Sequence, residues 1–188
     1  MKENIEGQIR ESIRVKESLL EQIDVLNSMC RIVVDCFRGG GKVVFFGNGG
    51  SAADAQHLAA ELSGRFYLDR PSLPALSLTT NSSTLTAIGN DYGFAHVFAR
   101  QLPGVGARGD VAFAISTSGN SPNVLEAARL AQQMGMITFG LTGRQGGELA
   151  QLVDYALCID SEQTPRIQEA HILTGHIICE LVESQLFG

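Results

Sequence analysis

The sequence predicts an α/β fold: a three-layer αβα sandwich on a five-stranded parallel sheet, preceded by a long N-terminal helix. Three observations lead there. Five short apolar runs, at 43–46, 75–78, 111–115, 137–141 and 155–159, have the length of strands. They are apolar almost throughout rather than alternating, as strands covered on both faces should be. Stretches of helical periodicity separate them, and that alternation is how a parallel sheet is wound.

The first helical stretch, residues 2–37, carries a broken stripe of Ile5, Ile9, Ile13, Leu19, Leu20, Ile23, Leu26, Met29 and Val33 among charged residues. It is too long to be covered by one small domain and is expected to pack on another subunit. Glycines 39–41 end it. Further helices are expected at 51–63, 83–102 (broken near Gly89 and Gly93), 121–134 and 146–152, and a last one from Thr164 and Pro165 to the C-terminus. No linker, low-complexity tract or repeat interrupts the chain. Residues 1–188 are therefore read as one domain, with 1–38 a helical segment for oligomer packing and 39–188 the α/β core and C-terminal helix.

A chain of 188 residues buries a sizeable core without disulfides or structural metals. Its 14 basic against 20 acidic residues, a net charge of −6, exclude a nucleic-acid surface, which needs clustered Lys and Arg. A small anionic ligand is still admissible, since backbone N–H groups can hold a phosphate. The charged, amphipathic start has no apolar export core, no run approaches the ~18 residues of a membrane span, and Cys30, Cys36, Cys158 and Cys179 form no C-x-x-C pair. The expectation is a cytoplasmic protein with buried, reduced thiols.

Two loops stand where ligands bind in such folds, beyond the carboxyl ends of strands. The first strand runs into Gly47-Asn48-Gly49-Gly50-Ser51, with Ser51 the expected helix cap and Asp54 completing a capping box. The third delivers Ser116-Thr117-Ser118-Gly119-Asn120-Ser121, and Pro122 opens the next helix with Ser121 as its cap. Neither loop is a G-x-G-x-x-G or a Walker sequence, so a dinucleotide and nucleotide hydrolysis are both disfavoured. Two hydroxyl- and glycine-rich loops favour a sugar phosphate.

His57 and Glu61, four apart, share one face of an alanine-rich helix. Spacing alone leaves three roles open for them: metal ligation, proton transfer, or a plain surface pair. Gln168 and His176, on the last helix, are eight apart, roughly 12 Å along its axis. A site they share must fall between them, completed from a facing element. His96 and His171 have no such partner and are read as structural.

The blocks 47–57 (GNGGSAADAQH), 87–93 (AIGNDYG), 115–121 (ISTSGNS) and 166–171 (RIQEAH) resemble the sugar-isomerase (SIS) family, and within it the phosphoheptose isomerases, over nearly the whole chain. The resemblance implies a flavodoxin-like SIS fold and isomerisation of sedoheptulose 7-phosphate to D-glycero-D-manno-heptose 7-phosphate through an enediol. That is the first step of ADP-heptose synthesis for lipopolysaccharide core or related glycans. It further implies a homotetramer with active sites at subunit interfaces and one zinc per subunit. The zinc ligands would be His57, Glu61, Gln168 and His176, with the second pair facing the first across a subunit boundary. Glu61 would be the base and His176 the acid. Asn48, Gly49, Gly50, Ser51, Glu61, Arg65, Asn90, Asp91, Ser116, Thr117, Ser118, Ser121 and Gln168 would contact substrate. The alternative is a non-enzymatic SIS tetramer that binds the replication initiator protein, a class not expected to keep both Glu61 and His176.

Overall fold

A computed structural model describes all 188 residues. Its five strands are β1 (Val43–Gly47), β2 (Ala75–Ser77), β3 (Val111–Ile115), β4 (Ile137–Gly143) and β5 (Tyr155–Ile159). They form one sheet in the order β2-β1-β3-β4-β5, every neighbouring pair parallel. This is the expected three-layer sandwich. Side chains alternate across the sheet. On one face Phe45 stacks on Phe113 and Phe113 meets Phe139 edge-on, at 5.2 and 5.3 Å between centroids, while Val44, Phe46, Ala112 and Ala114 fill the other.

The long N-terminal helix is two helices, α1 (Lys2–Glu17) and α2 (Ile23–Arg38), joined by a 3₁₀ turn at Ser18–Gln22. The turn lets Gln22 leave the helical face and bracket Cys158 of β5, its amide accepting from the backbone N–H at 3.0 Å and donating to the carbonyl at 2.8 Å. After β1 comes α3 (Gly50–Ser63); α4 (Ser82–Tyr92) follows β2, and α5 (Leu102–Val105) precedes β3. The 83–102 stretch breaks at Gly93, where φ is +92°, and not at Gly89, which stays helical. Then come α6 (Pro122–Gln133), α7 (Gly147–Leu152) and α8 (Thr164–Phe187). No helix is long and apolar enough to cross a membrane. All four cysteines are free, three of them buried and Cys158 half-buried.

The α2, α3 and α8 helices share one face of the sheet. At Gly175 of α8, a Cβ would stand 2.4 Å from Leu58 Cδ2 of α3, so glycine is what lets these helices approach. The loop after α3 is fixed to α8 by Glu183, whose carboxylate accepts N–H bonds from Phe66, Tyr67 and Leu68 at 2.6–2.9 Å and pairs with Arg70 at 2.9 Å. Arg70 also donates to the carbonyls of Glu61, Leu62, Gly64 and Pro71, ending α3. Both side chains are buried, 1% and 2% exposed. Burial opposes the charge of Glu183, but the three N–H donors and Arg70 outweigh it and hold its carboxyl down at about 2.

A carboxyl held below its unfolded value, about 4.3, stabilises the fold above that pH and ceases to as pH falls toward 2. Glu183→Gln puts an amide NH₂ against a backbone donor and leaves Arg70 unpaired in the interior. It is expected to cost about 3–5 kcal/mol at neutral pH and to flatten the loss of stability between pH ~4.5 and ~2. Urea titrations across that range measure both.

Candidate active site and metal centre

The α3 helix starts one residue earlier than expected. Gly49, at φ +55°, is its N-cap, and Ser51 is a buried residue of its first turn rather than the cap. The expected capping box is absent, and Asp54 makes no cap bond. Along α3, Asp54, His57 and Glu61 fall on one face. His57 Nε2 lies 2.9 Å from Glu61 Oε1, with side-chain exposures of 49% and 23%. One Asp54 oxygen is buried without a hydrogen-bond partner, and burial pushes the carboxyl up to about 6 against the pull of His57.

The α8 helix supplies the other wall. The His176 ring meets His57 edge-on at 5.0 Å and rests on Phe66 at 5.7 Å. One donor atom each from His57, Glu61 and His176 lie within 4.8 Å of one another. Just over two turns toward the N-terminus of α8, the Gln168 amide lies on Gly50, where a Cβ would stand 2.4 Å from Nε2. Three of the four expected ligands, His57, Glu61 and His176, therefore meet within one chain, and Gln168 of the same chain lies against the first residue of α3. The expectation that α3 and α8 face each other across a subunit boundary is corrected: the Leu58–Gly175 contact makes them neighbours. Two imidazoles and a carboxylate suit a borderline divalent ion, and their donor atoms converge, so these residues fit a metal.

The two ligand loops are locked together. Asn48 Nδ2 donates to Asn123 Oδ1 and Asn123 Nδ2 donates back to Asn48 Oδ1, both at 2.8 Å, with Asn123 only 2% exposed. In the second loop Ser116 is buried, and its hydroxyl lies 3.0 Å from Ser121 and 3.5 Å from Ser118. Ser121 does stand at the N-cap of α6, but its side chain makes no cap bond and turns to Ser116 instead. These hydroxyls gather at the N-terminus of α6, where the helix dipole favours an anion.

Not every candidate converges. Asn90 and Asp91 bond to each other at 2.8 Å on the exposed end of α4, and nothing within this chain joins them to the cluster. Arg65 is exposed and donates to the Tyr67 carbonyl. His171 is fully buried, its Nε2 3.0 Å from the Thr142 carbonyl, and burial lowers its pKa to about 4; that is the structural role expected of it. His96 is exposed in a 3₁₀ turn and supports nothing in the core. Sequence reasoning overlooked Asn123, Phe66 and the site role of Asp54. The i, i+3, i+7 spacing of Asp54, His57 and Glu61 was a usable signal; Asn123 and Phe66 had none.

Residues 9–143 match the SIS domain family model. A phosphoheptose isomerase of Sulfurimonas denitrificans is 51% identical over 100% of this chain and 98% of its own length. One from Aneurinibacillus thermoaerophilus is 50% identical over 100% and 96%. The chain belongs to the phosphoheptose isomerase family of SIS-domain proteins. The solved phosphoheptose isomerase of Neisseria gonorrhoeae superposes with a TM-score of 0.92 at 43% identity, covering 97% of this chain and 98% of that one. Family membership thus agrees with the fold.

Gly50→Ala is expected to turn the Gln168 amide away from α3 and weaken Co(II) binding by about tenfold. Visible absorption of the Co(II) complex, titrated against a chelator, measures the change.

Proposed function

We propose that this chain converts sedoheptulose 7-phosphate into D-glycero-D-manno-heptose 7-phosphate and so opens ADP-heptose synthesis for lipopolysaccharide core or related glycans. The observation that carries the reading is the convergence of Glu61 and His176, with His57, beside two hydroxyl- and amide-lined loops. The names of its relatives point the same way. A cytoplasmic location goes with a phosphorylated substrate.

The reaction moves a carbonyl from C2 to C1. Glu61 takes the proton from C1 and returns it to C2, passing through an enediol. His176, within reach of the same point, moves the proton between O1 and O2. Serines 116, 118 and 121 hold the phosphate at the far end of the open chain, and Asn48, braced by Asn123, orients the hydroxyls between. Gly49, Gly50, Ser51, Thr117 and Gln168 complete the contacts. His57, Glu61, Gln168 and His176 would hold one zinc ion per subunit, which supplies Lewis-acid polarisation of the carbonyl. A proton-transfer pair has no use in a non-enzymatic adaptor, so this geometry favours the enzyme.

We further propose that residues 1–188 work as one SIS unit that assembles as a homotetramer, with 1–38 as packing surface. On α1, Ile5, Ile9 and Ile13 are 56%, 56% and 51% exposed, a stripe no residue of this chain covers. The α4 helix buries none of its residues and leads into exposed Tyr92 and Phe94. A neighbouring subunit covering α4 would bring Asn90, Asp91 and Arg65 toward a site.

Purified protein is expected to form the aldose from sedoheptulose 7-phosphate. Glu61→Gln and His176→Ala should each lower kcat by at least about 100-fold with unchanged thermal unfolding. Activity retained in either variant removes that residue from the mechanism, and chelation followed by zinc repletion measures the metal's contribution. The double variant Ile9→Glu, Ile13→Glu should lower the mass measured by light scattering if α1 carries the assembly.

A further inference from the structure

The hydroxyl loop at 116–121 contains no cation, and the chain carries a net charge of −6. A phosphate dianion would have to approach against that charge and be held by dipoles alone. Arg144 changes this. The preceding Gly143 N–H donates to the Thr117 carbonyl at 3.0 Å, so the end of β4 is laced to the hydroxyl loop. A cavity of about 390 Å³ opens there, lined by Thr117, Ser118 and Asn120 on one side and by Arg144, Gln145 and Glu162 on the other. Arg144 is the only cation on its wall.

The guanidinium is held in a way that leaves its outer edge free. Nε donates to Asp160 Oδ1 at 2.6 Å, and neither terminal nitrogen hydrogen-bonds within the chain. Asp160 is anchored from behind by Arg14 of α1, which donates to its Oδ2 at 3.0 Å and to its carbonyl at 3.1 Å. One carboxylate thus orients Arg144 through Nε and leaves two NH₂ groups, in fixed fork geometry, without a partner on a residue that lines the cavity. That edge matches two phosphate oxygens, which a flexible lysine would match less well.

We propose that Arg144 is a phosphate-recognition residue, pairing through its terminal nitrogens with the phosphate cradled by residues 116–121. The proposal rests on the reading of the ligand as a sugar phosphate. Arg144 is 52% exposed, so its replacement does not threaten the fold.

Two measurements on Arg144→Gln and Arg144→Lys test it: isomerase kinetics at low and high ionic strength, and calorimetric titration with inorganic phosphate. For Arg144→Gln, KM is expected to rise about tenfold with kcat within about twofold, and phosphate affinity to fall by a similar factor. The salt dependence of kcat/KM should flatten, because the steering charge is gone. Arg144→Lys should recover the salt dependence and part of the KM. Unchanged KM and phosphate affinity in Arg144→Gln would overturn the proposal, as would a loss confined to kcat. A parent inactive on the heptose phosphate would overturn the isomerase reading alone, because the phosphate titration needs no turnover.

Discussion

Glu183 has no solvent around it, so its charge is tolerable only where four donors converge on it. Three of those donors are backbone N–H groups of the loop after α3, and the fourth belongs to Arg70, which closes the C-terminus of α3 through its carbonyls. One carboxylate of α8 therefore fixes where α3 ends and how its loop leaves. That matters because α3 carries His57 and Glu61, α8 carries Gln168 and His176, and the loop carries Phe66, on which His176 rests. The Leu58–Gly175 contact sets the distance between the helices, and Glu183 keeps them from sliding. The cluster is a consequence of that crossing more than of any attraction among its own members, two of which are imidazoles with no reason to approach each other.

Sheet order does the rest of the positioning. β1 and β3 are neighbours though not consecutive, since β2 lies on the far side of β1. The loops that leave their carboxyl ends thus stand side by side at the point where the winding reverses, the place open α/β sheets reserve for ligands. The reciprocal Asn48–Asn123 pair then makes one cradle of two loops. Its geometry also fixes the Asn48 amide. With one N–H and one lone pair committed to Asn123, the amide is held in a single sense.

Much of this was legible from residues alone, and what was legible has a common cause. Strands show themselves because both faces are buried, which leaves continuous apolar runs such as 111–115. His57 and Glu61 show themselves because a helix places i and i+4 together whatever surrounds it. Local periodicity cannot say which two helices touch. Gly175 against Leu58 and Gly50 against Gln168 are contacts between residues 117 or 118 positions apart, and a glycine in sequence does not announce what passes over it. For the same reason α3 and α8 were expected to meet across a boundary between subunits. The cap at Ser51 failed differently: Gly49 takes positive φ and starts the helix early, leaving Ser51 buried in the first turn and Asp54 on the face of His57.

The residues that stay outside the cluster are informative about what a single chain cannot complete. Asn90 and Asp91 sit on a helix with no buried residue, a condition that a helix in a folded domain rarely meets by itself, since helical stability comes from packing an apolar face. The same holds for α1, whose exposed isoleucines repeat every four residues along one side, beside Gln8 and Ser12, which tie the helix to Arg166 and Glu169 of α8. Both helices have satisfied their polar groups and left apolar ones in water. Covering them removes that cost, and covering α4 places its carboxylate and amide against another surface. Three of the four metal-ligand candidates meet within one chain, whereas Asn90, Asp91 and Arg65 stay outside the cluster, so assembly is expected to govern substrate affinity far more than metal affinity.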